Sequence, residues 1–300
     1  MSMIECRGLT KVFGGTKALN NFTCEINENT ITGLIGRNGA GKTTLLKIIA
    51  GYHQQTSGEI KVFSEEPFNN LTVSANMIFV HDQLNLPTAL NLQEILDVMA
   101  GFYKNWDREL AHRLFDYFSF HPMQYYNGLS KGMKSTFNMI LGLAARTPLT
   151  IFDEPTTGMD AAVRKDFYRA LLKDYIAYPR TIILSSHHLD EIEDLLEDIL
   201  VVKQGQELLH MPIAELREYA IGLEGKNALV KEWTKDREII FSKNGAFDQS
   251  YVVVRNDFSE SELYQAELAG IEILPVSSSD VCVYLTSKTK GGIDDVFNKG

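Results

Sequence analysis

Gly36-Arg37-Asn38-Gly39-Ala40-Gly41-Lys42-Thr43-Thr44 spells G-x-x-x-x-G-K-T, with Ile31-Thr32-Gly33-Leu34-Ile35 before it and Leu45-Leu46-Lys47-Ile48-Ile49 after it. The first flank is a short apolar run of strand character and the second opens a helical pattern. A phosphate-binding loop needs this strand–loop–helix setting. Glycines at 36, 39 and 41 let the backbone turn tightly and bring its N–H groups close to an anion. The helix starting near Gly41 adds the positive end of its dipole. In such a loop Lys42 reaches the β- and γ-phosphates and the Thr43 hydroxyl binds Mg²⁺. Gly36, Arg37, Asn38, Gly39, Ala40, Gly41, Lys42, Thr43 and Thr44 together form a candidate triphosphate cradle. An ordinary glycine-rich turn before a lysine is the plainer alternative, and the two flanks argue against it.

The 300-residue chain is long enough for one large domain or two smaller ones. Its composition, 44% hydrophobic and 23% charged, is that of a packed globular protein. A formal net charge of −10 is a poor basis for general nucleic-acid binding, so no nucleic-acid partner is expected. Cys6, Cys24 and Cys282 are widely spaced and form no Cys-x-x-Cys pattern. They read as small buried residues in a reducing cytosol rather than as a disulfide framework or a zinc site. No signal-peptide core is visible near Met1, and no run reaches the roughly 18–20 apolar residues of a membrane span. A membrane role then requires another polypeptide.

Apolar runs at Ile31–Ile35, Met77–Val80, Leu149–Phe152, Thr181–Leu184 and Ile199–Val202 alternate with helical patterns at Thr43–Ala50, Leu90–Tyr103, Arg108–Phe118, Lys131–Ala145, Ala161–Asp174 and Leu189–Leu196. Short continuous strands separated by helices predict an α/β fold whose mainly parallel sheet is covered on both faces. The stretch from Asn85 to Leu143 has helical patterns but no strand, and reads as a helical insertion. Ile4 to Ile26 and Gly58 to Phe63 are of strand-and-turn character.

Leu149-Thr150-Ile151-Phe152-Asp153-Glu154 is an apolar strand that ends in two carboxylates and is followed by Pro155. Beside the phosphate loop, Asp153 would orient Mg²⁺ and Glu154 would polarise the attacking water as general base. Solvated acids at a strand end are the plainer reading, and the phosphate loop weighs against it.

Leu129-Ser130-Lys131-Gly132-Met133, placed shortly before Asp153-Glu154, resembles the signature sequence of ATP-binding cassette (ABC) ATPases, with Lys131 where glycine is more usual. The Leu-Ser-Lys-Gly-Met form is similar to that of ATPases of ABC-2-type exporters. Ser130 and Gly132 sit at an expected helix start, where Ser is a good cap and backbone N–H groups are free for a phosphate. The resemblance implies that this phosphate belongs to ATP held by a partner subunit. Thr156-Thr157-Gly158-Met159-Asp160 resembles the D-loop, with Asp160 as its acid. Thr181-Ile182-Ile183-Leu184-Ser185-Ser186-His187 resembles the strand ending in the switch histidine, which makes His187 a γ-phosphate contact. Lys11-Val12-Phe13 with Ala18-Leu19 resembles the segment whose aromatic residue stacks on adenine, a role for Phe13. The loop after Met77-Ile78-Phe79-Val80 should present a glutamine to Mg²⁺ and water. Asp82 stands at that position by count and Gln83 is next, and either can serve.

The resemblance spans residues 1–215 and implies a P-loop NTPase core of the ABC type. Its parts are a mainly parallel sheet, an N-terminal antiparallel β subdomain and a helical subdomain at about 84–143. Residues 216–300 read as a small α+β accessory domain with a split β-α-β layout. Strands are expected there at Glu238–Phe241, Tyr251–Arg255, Ile271–Val276 and Val281–Leu285, and helices at Asn227–Thr234 and Ser259–Ala269. The resemblance further implies ATP and Mg²⁺ as ligands, a second ABC ATPase subunit in a homo- or heterodimer, and a separate transmembrane permease. This would place the chain in the cytoplasm, peripheral to the cytoplasmic face of the membrane. The competing reading is a non-transport ABC ATPase acting on nucleic acid or ribosomes.

Turnover measured against Mg²⁺ concentration in Asp82→Ala and Gln83→Ala separates the two loop candidates. The residue that serves the metal and water should lose turnover when truncated, and if neither does, the loop is misplaced.

Overall fold

A computed structural model describes residues 1–82, 84–245 and 248–287. The chain opens with two long strands, β1 (Ser2–Phe13) and β2 (Thr16–Asn27). Gly14 and Gly15 join them at positive φ, which matches a two-residue turn to the strand twist. The pairing is antiparallel, with Cys6 opposite Cys24. Along β2 Phe22, Cys24 and Ile26 are buried while Thr23, Glu25 and Asn27 are exposed, the period of a sheet with one face in the core. After β3 (Ile31–Ile35) and the helix α1 (Lys42–Ile49), β4 (Ser57–Val62) joins the free side of β1 to give the order β2-β1-β4.

A short helix, α2 (Leu71–Ala75), leads to β5 (Met77–Val80). Three helices follow: α3 (Leu92–Phe102), α4 (Arg108–Tyr117) and α5 (Lys131–Ala145). Each starts where the sequence supplies a cap: Asn91 in a capping box with Glu94, then Asp107, then Ser130. The chain returns to the sheet in β6 (Leu149–Asp153), crosses through α6 (Ala161–Ala177) to β7 (Thr181–Ser186), and ends the sheet with β8 (Asp198–Lys203) and β9 (Gln206–Pro212). The strand order is β5-β6-β7-β3-β8-β9, and the first five run parallel. β9 turns back from β8 through Gln204 and Gly205, both at positive φ. Every residue of β3, β5 and β6 is buried, as expected of strands covered on two faces. One apolar cluster joins the two sheets: Leu45, Leu46, Ile48 and Ile49 of α1 pack among Leu34, Ile151 and Ile183 on one side and Leu9, Phe22 and Ile26 on the other.

The last part of the chain contains α7 (Ile213–Arg217), β10 (Ala220–Lys226), α8 (Asn227–Trp233), β11 (Ile239–Asn244), β12 (Gln249–Arg255), α9 (Glu260–Leu268), β13 (Glu272–Pro275) and α10 (Ser278–Thr286). The sheet order β11-β12-β10-β13, antiparallel throughout, is the β-α-β-β-α-β plan. It has its own core of Leu223, Val230, Val252, Val254, Ala266 and Ile271. Two compact units result. One holds Met1–His187 and Glu191–His210, and the other holds His188–Asp190 with the described residues from Met211 onward. Among the described residues no helix is long and apolar enough to cross a membrane.

Three elements differ from the sequence reading. Val281–Leu285 is not a strand but lies inside α10, capped by the Ser277 hydroxyl, which accepts from Asp280 N at 3.0 Å. Val281 and Cys282 are buried and Val283 is exposed, so the β-branched run carries a helical stripe. β10 carries no strand signal in its sequence, because Ala-Ile-Gly-Leu-Glu-Gly-Lys holds two glycines. Gly222 makes room for Tyr251, whose ring would stand 2.6 Å from any Cβ there. Leu189–Leu196 forms only 3₁₀ turns at Leu189–Glu191 and Glu193–Leu195. Asp190, Glu191, Glu193 and Asp194 would repel one another at the i, i+3 and i, i+4 spacings of an α-helix.

His210 of β9 meets Asp198 of β8 at 2.6 Å, Nε2 to Oδ2. Burial works to lower its pKa, but the hydrogen bond and charge of Asp198 outweigh it and hold the imidazole above its usual value. A histidine raised in the folded state contributes stability fully below its unfolded pKa, about 6.5, and loses it as pH rises through the folded value. His210→Gln should therefore destabilise the protein more at about pH 6 than at about pH 9. Urea midpoints at the two pH values check this, and equal losses would count against the pair.

Candidate active site

Parallel pairing of β3, β6 and β7 brings three chain segments to one edge of the sheet. Ile35 ends β3 beside Ser186, and Asp153 ends β6 beside Ser185. The phosphate loop leaves β3, Glu154 leaves β6 and His187 leaves β7. At Gly41 the backbone has φ 112° and a Cβ would lie 2.6 Å from the Ala18 carbonyl, so only glycine fits. No side chain caps α1, which leaves its first N–H groups available to a ligand.

The Lys42 side chain is 5% exposed. It donates to the Gly36 carbonyl at 2.6 Å and stands 3.4 Å from Glu154 Oε1. The other carboxylate oxygen, Oε2, lies 3.1 Å from His187 Nδ1. Glu154 has φ 48°, a left-handed backbone that a non-glycine residue adopts at a cost of about 1–3 kcal/mol. Its neighbours hold it there. The Glu154 N–H donates to Ser185 Oγ at 2.9 Å, and the Ser185 hydroxyl donates to Asp153 Oδ1 at 2.6 Å. The Glu154 carbonyl accepts from the Thr157 hydroxyl at 2.9 Å. A cavity of about 320 Å³ is lined by Thr16 to Ala18, Arg37 to Thr44 and Glu154. Lys17, Arg37 and Lys42 give it the cations a polyphosphate requires.

The structure thus brings Arg37, Asn38, Gly39, Ala40, Gly41, Lys42, Thr43, Thr44 and Glu154 around one cavity, with Gly36, Asp153 and His187 attached by direct contact or through Ser185. Phe13 stands outside the lining. It pairs across the hairpin with Thr16, which is part of it, and meets His53 edge-on at 5.6 Å. Asp82 is exposed in a turn after β5, and Gln83 lies outside the described residues.

Ser130, Gly132 and Asp160 also stand apart from the cavity and form a second group. The Ser130 hydroxyl caps α5 by accepting from Met133 N at 3.3 Å, and Asp160 caps α6 by accepting from Ala162 N and Val163 N at 2.9 Å. At Gly132 a Cβ would lie 2.4 Å from the Gly158 carbonyl. Ser135 donates to the Thr157 carbonyl at 2.8 Å, so the start of α5 is fixed to the loop after Glu154. The sequence reading does not single out Thr16 or Lys17, and it quotes Ala18 and Ser185 within longer segments without giving either a role. The position of Ser185, opposite the first carboxylate on the next parallel strand, was the signal that could have found it.

Fold and site together define a P-loop ATPase of the cassette type. The profile of the ABC transporter family matches residues 19–157. The ABC transporter ATP-binding protein YtrB of Bacillus subtilis is 30% identical over 222 residues, covering 74% of this chain and 76% of YtrB. The bacitracin transport ATP-binding protein BcrA of Bacillus licheniformis is 26% identical over 237 residues, covering 72% of each. In structure, the dimeric post-hydrolysis state of the ATP-binding cassette MJ0796, bound to ADP and Pi, superposes with a TM-score of 0.62 at 21% identity, covering 70% of this chain and 99% of that one. The chain belongs to the ABC transporter ATP-binding proteins and is an ATPase of that class.

Ser185 fixes both the Asp153 carboxylate and the Glu154 backbone. Ser185→Ala should lower ATP turnover by about 10–100-fold, the usual cost of losing a group that orients the side chains of a site. Nucleotide affinity, measured by calorimetry, should stay near wild type. An affinity that falls as far as turnover would remove Ser185 from this role.

Proposed function

We propose that the chain is the ATP-hydrolysing subunit of an ABC exporter whose membrane-spanning subunit is a separate polypeptide. The observation that carries the hydrolytic part is the Lys42–Glu154–His187 series, whose first two members line the phosphate-loop cavity. Export rests on the Leu129-Ser130-Lys131-Gly132-Met133 form of the signature, and the likeness to BcrA, a bacitracin transport protein, supports transport without its direction.

In this reading the N–H groups of residues 36–44 and Lys42 bind the β- and γ-phosphates of ATP, and Phe13 lies against the adenine. The donors for Mg²⁺ are the Thr43 hydroxyl, the Asp153 carboxylate and the loop at Asp82 and Gln83. These are hard oxygen ligands, and few of them, as suits an ion that takes most of its shell from phosphate and water. Among the described residues no group of three or more His, Cys, Asp or Glu forms a cage of its own, which fits that mode. When bound, Mg²⁺ neutralises charge on the phosphate oxygens. Glu154 takes the proton of the attacking water as its oxygen bonds to the γ-phosphorus. The bond from that phosphorus to the bridging oxygen breaks, and ADP leaves with the electron pair. His187 keeps the Glu154 carboxylate in place and adds a contact to the γ-phosphate.

Ser130, Gly132 and Asp160 lie outside this chain's own cavity, which supports a composite site. Two subunits pair head to tail, and the Ser130 region of each meets the ATP held by the other. ATP then bridges two surfaces, and its hydrolysis releases them. The helices between 84 and 143 contact the permease, which holds the subunit at the cytoplasmic face of the membrane.

Glu154→Gln should keep ATP binding, slow hydrolysis by orders of magnitude and accumulate an ATP-bound dimer on a sizing column. Lys42→Ala should weaken nucleotide binding itself. The wild-type protein should co-purify with a polytopic membrane protein. Near-normal turnover of Glu154→Gln would remove it as the base. Tight RNA or DNA association with no membrane partner would replace transport by the competing reading.

A further inference from the structure

From Ser135 to Ala145 every residue of α5 is buried, and Asn138 is 2% exposed among apolar neighbours. A buried amide in such a helix carries a desolvation cost unless its hydrogen bonds are made. Gly142 shows which way this face points, since a Cβ there would lie 2.5 Å from the Phe152 ring and 2.9 Å from Val80. Asn138 lies one turn earlier on the same face. Its Nδ2 donates to the carbonyl of His81 at 3.3 Å. His81 is the first residue beyond β5, and Asp82 follows it.

Tyr126 is a neighbour of the same amide. It begins the 3₁₀ turn Tyr126–Gly128 immediately before Leu129 and Ser130, and its ring centroid is 6.1 Å from that of Phe137. Burial raises its pKa, while the neighbouring Asn138 amide acts in the opposite sense. Neither the Tyr126 hydroxyl nor Asn138 Oδ1 has a partner at hydrogen-bond geometry, although both are buried. One is a donor and the other an acceptor. A hydrogen bond between them would satisfy both.

We propose that Asn138 is a positioning residue for the loop that begins at His81, and that the Tyr126 hydroxyl closes onto Asn138 Oδ1 when the nucleotide site is filled. Asn138 then ties three segments together: the turn leading to Ser130, the helix that Ser130 caps, and the backbone that presents Asp82. This rests on the reading of that loop as the one serving metal and water. Asn138 is not part of the lining of the phosphate-loop cavity.

The test is a double-mutant cycle on turnover. Asn138→Ala should lower kcat by about tenfold, the rate equivalent of one well-placed hydrogen bond, with KM for ATP within about twofold of wild type. The Mg²⁺ concentration for half-maximal turnover should rise. Tyr126→Phe should lower kcat less, and should add nothing in the Asn138→Ala background. Wild-type kcat in Asn138→Ala, or kcat, KM and melting temperature falling together, overturns the proposal, as does full additivity of the two changes. If Asn138→Ala does not fold, a wild-type kcat in Tyr126→Phe still overturns the closing step. A readout independent of hydrolysis is amide exchange over 77–82 in the Glu154→Gln protein. MgATP should slow that exchange, and Tyr126→Phe should abolish the slowing. Failure of MgATP to bind at all would sink the site reading, whereas binding with unchanged slowing in Tyr126→Phe sinks only this one.

Discussion

The parallel register of β3, β6 and β7 is the constraint on which the site depends. Ile35 stands beside Ser186 and Asp153 beside Ser185, so the three strands end at the same level. A sheet of this kind presents its ligand-binding loops at the carboxyl ends of its strands. Lys42, Glu154 and His187 are far apart in sequence, and the register alone makes them neighbours. A slip by one residue in β6 would reverse the alternation of its side chains and take Asp153 away from Ser185.

Burying Lys42 at that edge is costly unless the charge is met. The Gly36 carbonyl and the Glu154 carboxylate meet it here, and Glu154 lines the same cavity as Lys42. The ammonium is thus held in position by contacts that a phosphate can compete with. Glu154 is fixed more firmly, by its N–H on Ser185, its carbonyl on Thr157 and its carboxylate on Lys42 and His187. That many contacts are needed to hold a non-glycine residue at φ 48°. The strain lies at the residue expected to move the proton.

Most of the core sheet was legible because its strands are short, fully apolar and bounded by charges or turns. The phosphate loop was legible for a different reason: its chemistry needs glycines and a lysine at fixed spacing, so the sequence carries the site directly. Ser185 carried no such mark, because its role comes from a neighbour on another strand. The C-terminal unit was harder. In β10 the glycine that weakens strand propensity is the one that admits Tyr251, and in α10 β-branched residues form a helical stripe. In both places tertiary packing overrode local preference.

The cavity residues and the Ser130–Gly132–Asp160 group are joined within the chain by a close backbone approach and two hydroxyl-to-carbonyl hydrogen bonds. Gly132 lies so close to the Gly158 carbonyl that no side chain fits between them, and Ser135 holds the Thr157 carbonyl. Thr157 in turn donates to the carbonyl of Glu154. The helix that Ser130 caps is therefore two contacts away from the backbone of the residue with the strained φ. Close-packed elements of this kind transmit a shift instead of absorbing it. A phosphate pulling on the Ser130 end of α5 would act on the same loop that sets Glu154.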